Sequence, residues 1–264
     1  MESAELLNKR FDEHRRRQGL PCSRVVGAEG GTSDDVGGDT GDEHEGHPPT
    51  TAYVSEDKSR KGSVDAKILP LVTLINSTND LFTTSTCSGR TILFTNESVE
   101  VGVPPTSSSQ PVDPVVKKIR KKGCQWLFVS HDEVKVQDFL EAWNKACATV
   151  KDHDVIFKVE ASILHVQCRQ LSLAKKLIHT GTESGFRNSG MVIGKDNRIT
   201  VAIRSALGFE IPLPTSKCLD NNSDSSQLVS EGYLTYLVQK ANEKMNENWR
   251  RTEKLTEEFK KAFL

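Results

Sequence analysis

The sequence predicts an α+β fold: a mixed, largely antiparallel sheet packed with helices, not of the Rossmann type, in a single domain with a disordered N-terminal insertion. Three observations predict it. Apolar runs of strand length and amphipathic helical stretches alternate irregularly, without the strict strand–helix rhythm of a doubly wound sheet. Several apolar runs come in pairs separated by a few polar residues, as hairpins do. The glycine-rich stretch VVGAEGG (Val25 to Gly31) has no strand before it and no helix after it, so it does not mark a dinucleotide loop.

Residues 1–18 form an amphipathic helix in which Leu6, Leu7 and Phe11 make a short apolar stripe. Residues 19–56 hold eight acidic side chains and one basic one among Gly, Asp, Thr and Ser. Such a stretch buries too little to offset the entropy of ordering, so it reads as an acidic disordered insertion. A His44-Glu45-Gly46-His47 pair inside it has no fixed geometry to hold a metal. Residues 57–264 form the main domain. Ser63 caps a helix from Val64 to about Asn76, with Asp65 in its first turn and Pro70 as a kink. LFTTSTCSGRTILF reads as strand, polar turn and strand, and residues 98–114 as a surface loop. CQWLFVSH is a buried strand, Val136 to Thr149 a helix, and VIFKVE with ILHVQC a strand pair. LSLAKKLIHTGTES is a helix stopping at Gly185, MVIGKDNRITVAIR a hairpin turning near Asp196, and a long helix starts at Glu231.

The net charge of −1 hides an asymmetry, because the acidic insertion carries −7 and the remainder +6. A basic folded part suits a polyanionic partner. The six cysteines include no C-x-x-C pair, which speaks for reduced thiols and against a structural zinc site. With no signal-peptide core and no apolar run of about 20 residues, the expectation is a cytoplasmic protein that does not span a membrane.

Three groups of residues can carry chemistry. The polar turn Thr83 to Arg90 offers Ser85, Cys87, Ser88, Gly89 and Arg90, whose hydroxyls, backbone N–H groups and guanidinium could bind a carboxylate or phosphate; the plain alternative is a hairpin turn. The loop Ser184 to Gly190 presents Arg187, Asn188 and Ser189 beside two glycines, of which Gly185 is explained by a helix C-cap alone. His131 and His165 lie near the ends of apolar strands, where a histidine is either a hydrogen-bonded core residue or a proton acceptor. Lys58, Arg60, Lys61, the run Lys117 to Lys122, Arg169 and Arg204 are candidate phosphate contacts or ordinary solvated charge.

Taken in order, DKSRKGSVD, FTTSTCSGR, WLFVSH, ILHVQCRQL, SGFRNSG and AIRSALGFEIPL closely resemble successive blocks of the wybutosine-synthesis protein 3 family. The resemblance spans Asp57 to the end plus the opening helix, and the acidic stretch departs from it as an insertion. It implies a methyltransferase dependent on S-adenosyl-L-methionine, acting on the N-4 nitrogen of the tricyclic wybutosine precursor beside the anticodon of phenylalanine transfer RNA, tRNA(Phe). Under that reading the turn at Ser85 to Arg90 holds a polar end of the cofactor, and Arg187, Asn188 and Ser189 complete the pocket. His131 or His165 takes the proton or orients the cofactor. Lys58, Arg60, Lys61, Arg169 and Arg204 meet the anticodon loop, and no metal is required. Two rival readings are a non-catalytic RNA-binding module and a thiol enzyme using Cys87.

Overall fold

The computed structural model describes residues 4–20, 63–98, 119–150, 154–215 and 229–264. Most of the acidic insertion, both decoy motifs within it, and Lys58, Arg60 and Lys61 lie outside these residues.

The elements follow in the order α1 (Ala4–Arg17), α2 (Leu69–Ser77), β1 (Leu81–Cys87), β2 (Arg90–Ser98), β3 (Ile119–Ser130), α3 (Val136–Thr149), β4 (Val155–Glu160), β5 (Ile163–Cys168), α4 (Leu171–Glu183), β6 (Gly190–Ile193), β7 (Ile199–Arg204), β8 (Phe209–Leu213) and α5 (Glu231–Phe263). The class is α+β. The strands form two four-stranded sheets, ordered β1-β5-β7-β6 and β3-β2-β4-β8, and every pairing is antiparallel.

Two of the runs expected to pair locally, LFTTSTCSGRTILF and VIFKVE with ILHVQC, are not hairpins. β1 pairs with β5 in one sheet, while β2 pairs with β3 and β4 in the other. The β4–β5 and β7–β8 connections cross between the sheets in the same way. The registers run on across the break, from Cys87 opposite Ile163 to Arg90 opposite Glu160. Three long, bent ribbons therefore belong half to each sheet. A polar turn between two apolar runs is equally consistent with a tight hairpin and with such a passage, because pairing is decided by distant partners.

Two other expectations change. α2 starts at Leu69, not Val64, and Pro70 occupies its first turn. There the missing N–H costs no hydrogen bond, so Pro70 starts the helix and does not kink it. β8 was not read as a strand; its Pro212 is tolerated because β8 lies at a sheet edge. The β6–β7 hairpin turns at Asp196 and Asn197 as expected, both at positive φ, 61° and 54°. α4 ends in a Schellman motif, with Phe186 N–H on the Gly181 carbonyl and Gly185 N–H on the Thr182 carbonyl, each at 2.9 Å. Gly185 takes the left-handed conformation this requires, at φ +99°.

The helix α5, 33 residues long and so about 50 Å, joins two cores. Its first half packs with α3 and the β3-β2-β4-β8 sheet, through Leu237, Val238, Ala241 and Met245 against Phe139, Phe157 and Leu93. Its last turns pack with α2, α4 and the other sheet, through Leu255 and Phe259 against Leu71, Leu177 and Val201. Each such side chain, fully buried, contributes about 1.5–3 kcal/mol. α1 sits apart from both cores, with Phe11 and Leu20 against Phe82. Among the described residues, no helix is long and apolar enough to cross a membrane.

Candidate functional site at the passage between the sheets

Where β1 leaves one sheet and β2 enters the other, two residues fall outside both ladders, and side chains take up the backbone there. Asp65, just ahead of α2, accepts hydrogen bonds at Oδ2 from the Ser88 backbone N–H (2.9 Å) and the Ser88 hydroxyl (3.0 Å). Gly89 stands at φ +98°, and a Cβ there would lie 3.0 Å from the Glu160 carbonyl oxygen and 3.2 Å from Met245 Sδ. Only glycine fits this crossing. Arg90 then donates from Nε to Glu160 (2.5 Å), and its guanidinium lies over the half-exposed Trp126 ring at 4.6 Å. Lys158 joins Glu160 from the same strand at 3.9 Å.

His131, the residue after β3, arrives at the same place. Its Nδ1 is 3.3 Å from Asp65 Oδ1, near but not aligned for a hydrogen bond. Single ligand-type atoms of Asp65, Cys87 and His131 all lie within 4.8 Å of one another. Burial pushes the Cys87 thiol up, and the Asp65 and Glu160 carboxylates push the same way against the Gly89 N–H and Arg90. The thiol is therefore held protonated, which does not suit a nucleophile. Within this cluster the buried His131 Nδ1 has no hydrogen-bond partner within the protein.

A second group adjoins the first. One rung across the sheet runs Ser85–His165–Ala202–Gly190, and the next residues on the same face are Cys87, Ile163 and Arg204. The Ser85 hydroxyl and His165 Nδ1 are 2.9 Å apart. Burial lowers the His165 pKa, and the nearby positive charge of Arg204 lowers it further. Ser189 brings the second loop alongside: its hydroxyl donates to the Phe186 carbonyl (2.6 Å) and accepts from the Arg204 backbone N–H (3.2 Å).

The fold thus gathers Ser85, Cys87, Arg90, His131, His165, Arg204 and Ser189 around one junction, with Ser88 and Gly89 buried beneath it. Arg187 and Asn188 are exposed on the same loop as Ser189. Arg169 is engaged elsewhere: it holds Asp12 (2.6 Å) and Asp80 (2.7 Å) and covers the Phe11 ring at 4.3 Å, fastening α1 to the sheet. Asp65 and Glu160 are the residues that reading the sequence missed. Asp65 reads in the sequence as an ordinary helix-start acid, and Glu160 carries no signal of its own. The only signal for either was its place beside a motif it meets solely in three dimensions.

A site with two guanidiniums, two carboxylates and two imidazoles suits a ligand that bears both charges, next to a group able to take a proton. Residues 49–261 match the family described as Methyltransferase TYW3. The chain is 39% identical over 201 residues to the tRNA wybutosine-synthesizing protein 3 homolog of Danio rerio, covering 76% of this chain and 68% of that protein. It is 41% identical over 196 residues to the homolog of the same name from Xenopus laevis, covering 74% and 66%. The chain thus spans about two thirds of the length of these relatives. The PH1069 protein from Pyrococcus horikoshii has a similar structure, with TM-score 0.57, 29% identity, and coverage of 75% of this chain and 86% of that one.

Proposed function

The chain belongs to the methyltransferase TYW3 family, and from that membership we propose that it is a tRNA methyltransferase of wybutosine synthesis. In this reading the methyl donor is S-adenosyl-L-methionine, and the acceptor is the N-4 nitrogen of the tricyclic base beside the anticodon of tRNA(Phe), in the cytoplasm. The observation that carries the reading is the polar cluster at the β1–β2 passage.

The residues present fit such a donor. One buried polar atom there, His131 Nδ1, lacks a partner inside the protein, and buried polar groups ordinarily have one. Arg90 offers a guanidinium for a carboxylate. Asp65 and Glu160 offer negative charge for an ammonium or a sulfonium. S-adenosyl-L-methionine, when bound, supplies an electrophilic methyl group whose bond to sulfur breaks as the bond to nitrogen forms.

The protein's own part is positioning and proton acceptance. Asp65 lies 3.3 Å from His131 Nδ1, where its negative charge favours the imidazolium formed when His131 takes the proton released by the base nitrogen. Ser88 holds Asp65 in turn, so the carboxylate cannot swing away. His165, kept neutral and fixed by Ser85, lines the face where the base would lie. Trp126, 39% exposed, offers a ring on which an unstacked base of a single-stranded loop can rest. Arg204, exposed at the end of β7, offers charge to a neighbouring phosphate.

The rival is an RNA-binding module without catalysis, and ligand-linked stability separates the two. A ligand that binds only the folded state at 100 times its Kd adds about 2.7 kcal/mol. For a chain of this size S-adenosyl-L-methionine should therefore raise Tm by about 5 °C or more. Arg90→Ala should lose most of that rise. Wild-type protein whose Tm ignores the donor would favour the RNA-binding module.

A further inference from the structure

We propose that the cleft between α1 and the β6–β7 turn is a second RNA contact, a phosphate clamp for the strand flanking the base to be methylated. The proposal rests on RNA being the substrate.

The cleft has a volume of about 590 Å³, and its walls carry Arg10, His14 and Arg17 from α1 and Lys195 and Arg198 from the turn, against the two acids Glu13 and Asp196. Arg10 is matched by Asp196 at 3.4 Å. Arg17, Lys195 and Arg198 are exposed and, among the described residues, no ion pair holds them. The cleft is therefore positive, and cations with no carboxylate partner are available to phosphates without a pair being broken first.

Both walls are anchored by hydrogen bonds. Arg15, 2% exposed, anchors α1 by donating to the Leu81 carbonyl (2.7 Å) and the Asn76 carbonyl (2.8 Å). The tight turn, with Asp196 and Asn197 both left-handed, keeps Lys195 and Arg198 side by side, and Arg198 N–H meets the Lys195 carbonyl at 3.4 Å.

Position relates the cleft to the site. Gln167 is among its lining residues, and on β5 it shares a face with His165 and Ile163. From Ile163, beside the catalytic cluster, to Cys168 at the cleft is five residues of β5, about 17 Å of strand. A strand lying along this face with its modified base at the cluster would bring flanking phosphates into the cleft. α1 precedes the family-matched stretch of residues 49–261, whereas Lys195 and Arg198 lie within it.

The test is binding of fluorescently labelled, unmodified tRNA(Phe) transcript to the full chain, measured between about 50 and 200 mM salt. The wild type should weaken steeply with salt. Arg17→Ala/Lys195→Ala/Arg198→Ala should bind about ten-fold or more weakly at low salt, with a slope of log K against log[salt] shallower by about two. The charge-keeping variant R17K/R198K should retain the wild-type slope, which separates charge from damage to the fold. If the triple variant keeps both affinity and slope while the wild type binds, the clamp is wrong and the RNA reading stands. If the wild type shows no salt-dependent binding, both fall.

Discussion

His165 shows how one residue links packing to acidity. Burial disfavours its imidazolium, Arg204 repels it, and its pKa falls below the ordinary 6.5. Below pH 6.5 the unfolded chain protonates this histidine while the folded protein does not, down to the folded pKa. The unfolded state then binds more protons, so stability drops as pH falls through that window and is fully present above it. Denaturant midpoints measured from pH 7.5 to 5.5 should decline less in His165→Asn than in the wild type; an equal decline would mean that His165 is not so held. Other single residues hide their role in the sequence. FTTSTCSGR was legible as a polar, glycine-bearing turn, and its glycine is the residue that the close approach of Glu160 and Met245 requires. Asp65 was not legible, because its partners Ser88 and His131 are separated from it by 23 and 66 positions. Arg169 was misleading for a similar reason: a strand-end arginine looks free until α1 folds over it.

At the level of elements, asparagines on the helices meet backbone groups that no ladder satisfies, and Asn248 does so at two of the sheet crossings. Each crossing leaves backbone groups without a ladder partner, and an amide can serve both donors and acceptors. Asn248 of α5 accepts from the Ser162 N–H (3.4 Å) and hydroxyl (3.1 Å) at the β4–β5 crossing. It also donates to the Leu207 carbonyl (3.2 Å) at the β7–β8 crossing. Asn76 of α2 accepts from the Thr83 N–H at 2.8 Å, and Asn242 of α5 meets both backbone groups of Val134 at 2.9 Å. Asn248→Ala strips two crossings at once and leaves buried groups unpaired. It should cost about 2–4 kcal/mol in urea unfolding; a loss below about 0.5 kcal/mol would contradict this account of the crossings. Helices α3, α4 and α5 were legible from periodicity because helical contacts are local. The strand pairings were not, because Cys87 with Ile163 and Arg90 with Glu160 are long-range choices that turn composition does not encode.

Across the whole molecule, α5 makes two cores into one body, and the site forms where the two sheets exchange strands above it. Side chains from the stretch before α2, the β1–β2 passage, the end of β3, and β4 meet there only if all three ribbons bend together. That requirement explains why motifs scattered from Asp65 to Arg204 form one surface, and why no single motif announced a methyltransferase in the way a Rossmann loop does. The family resemblance was carried by the blocks in order, and the fold supplies the reason for that order. The central claim is methyl transfer to tRNA at this junction. The direct measurement is incorporation of labelled methyl from S-adenosyl-L-methionine into tRNA(Phe) from cells lacking this step, comparing the wild type with Asp65→Asn. The account predicts label in the modified guanosine beside the anticodon with the wild type, and a loss of about 100-fold or more with Asp65→Asn. No label with folded wild type and the correct precursor, or undiminished label with Asp65→Asn, would contradict it.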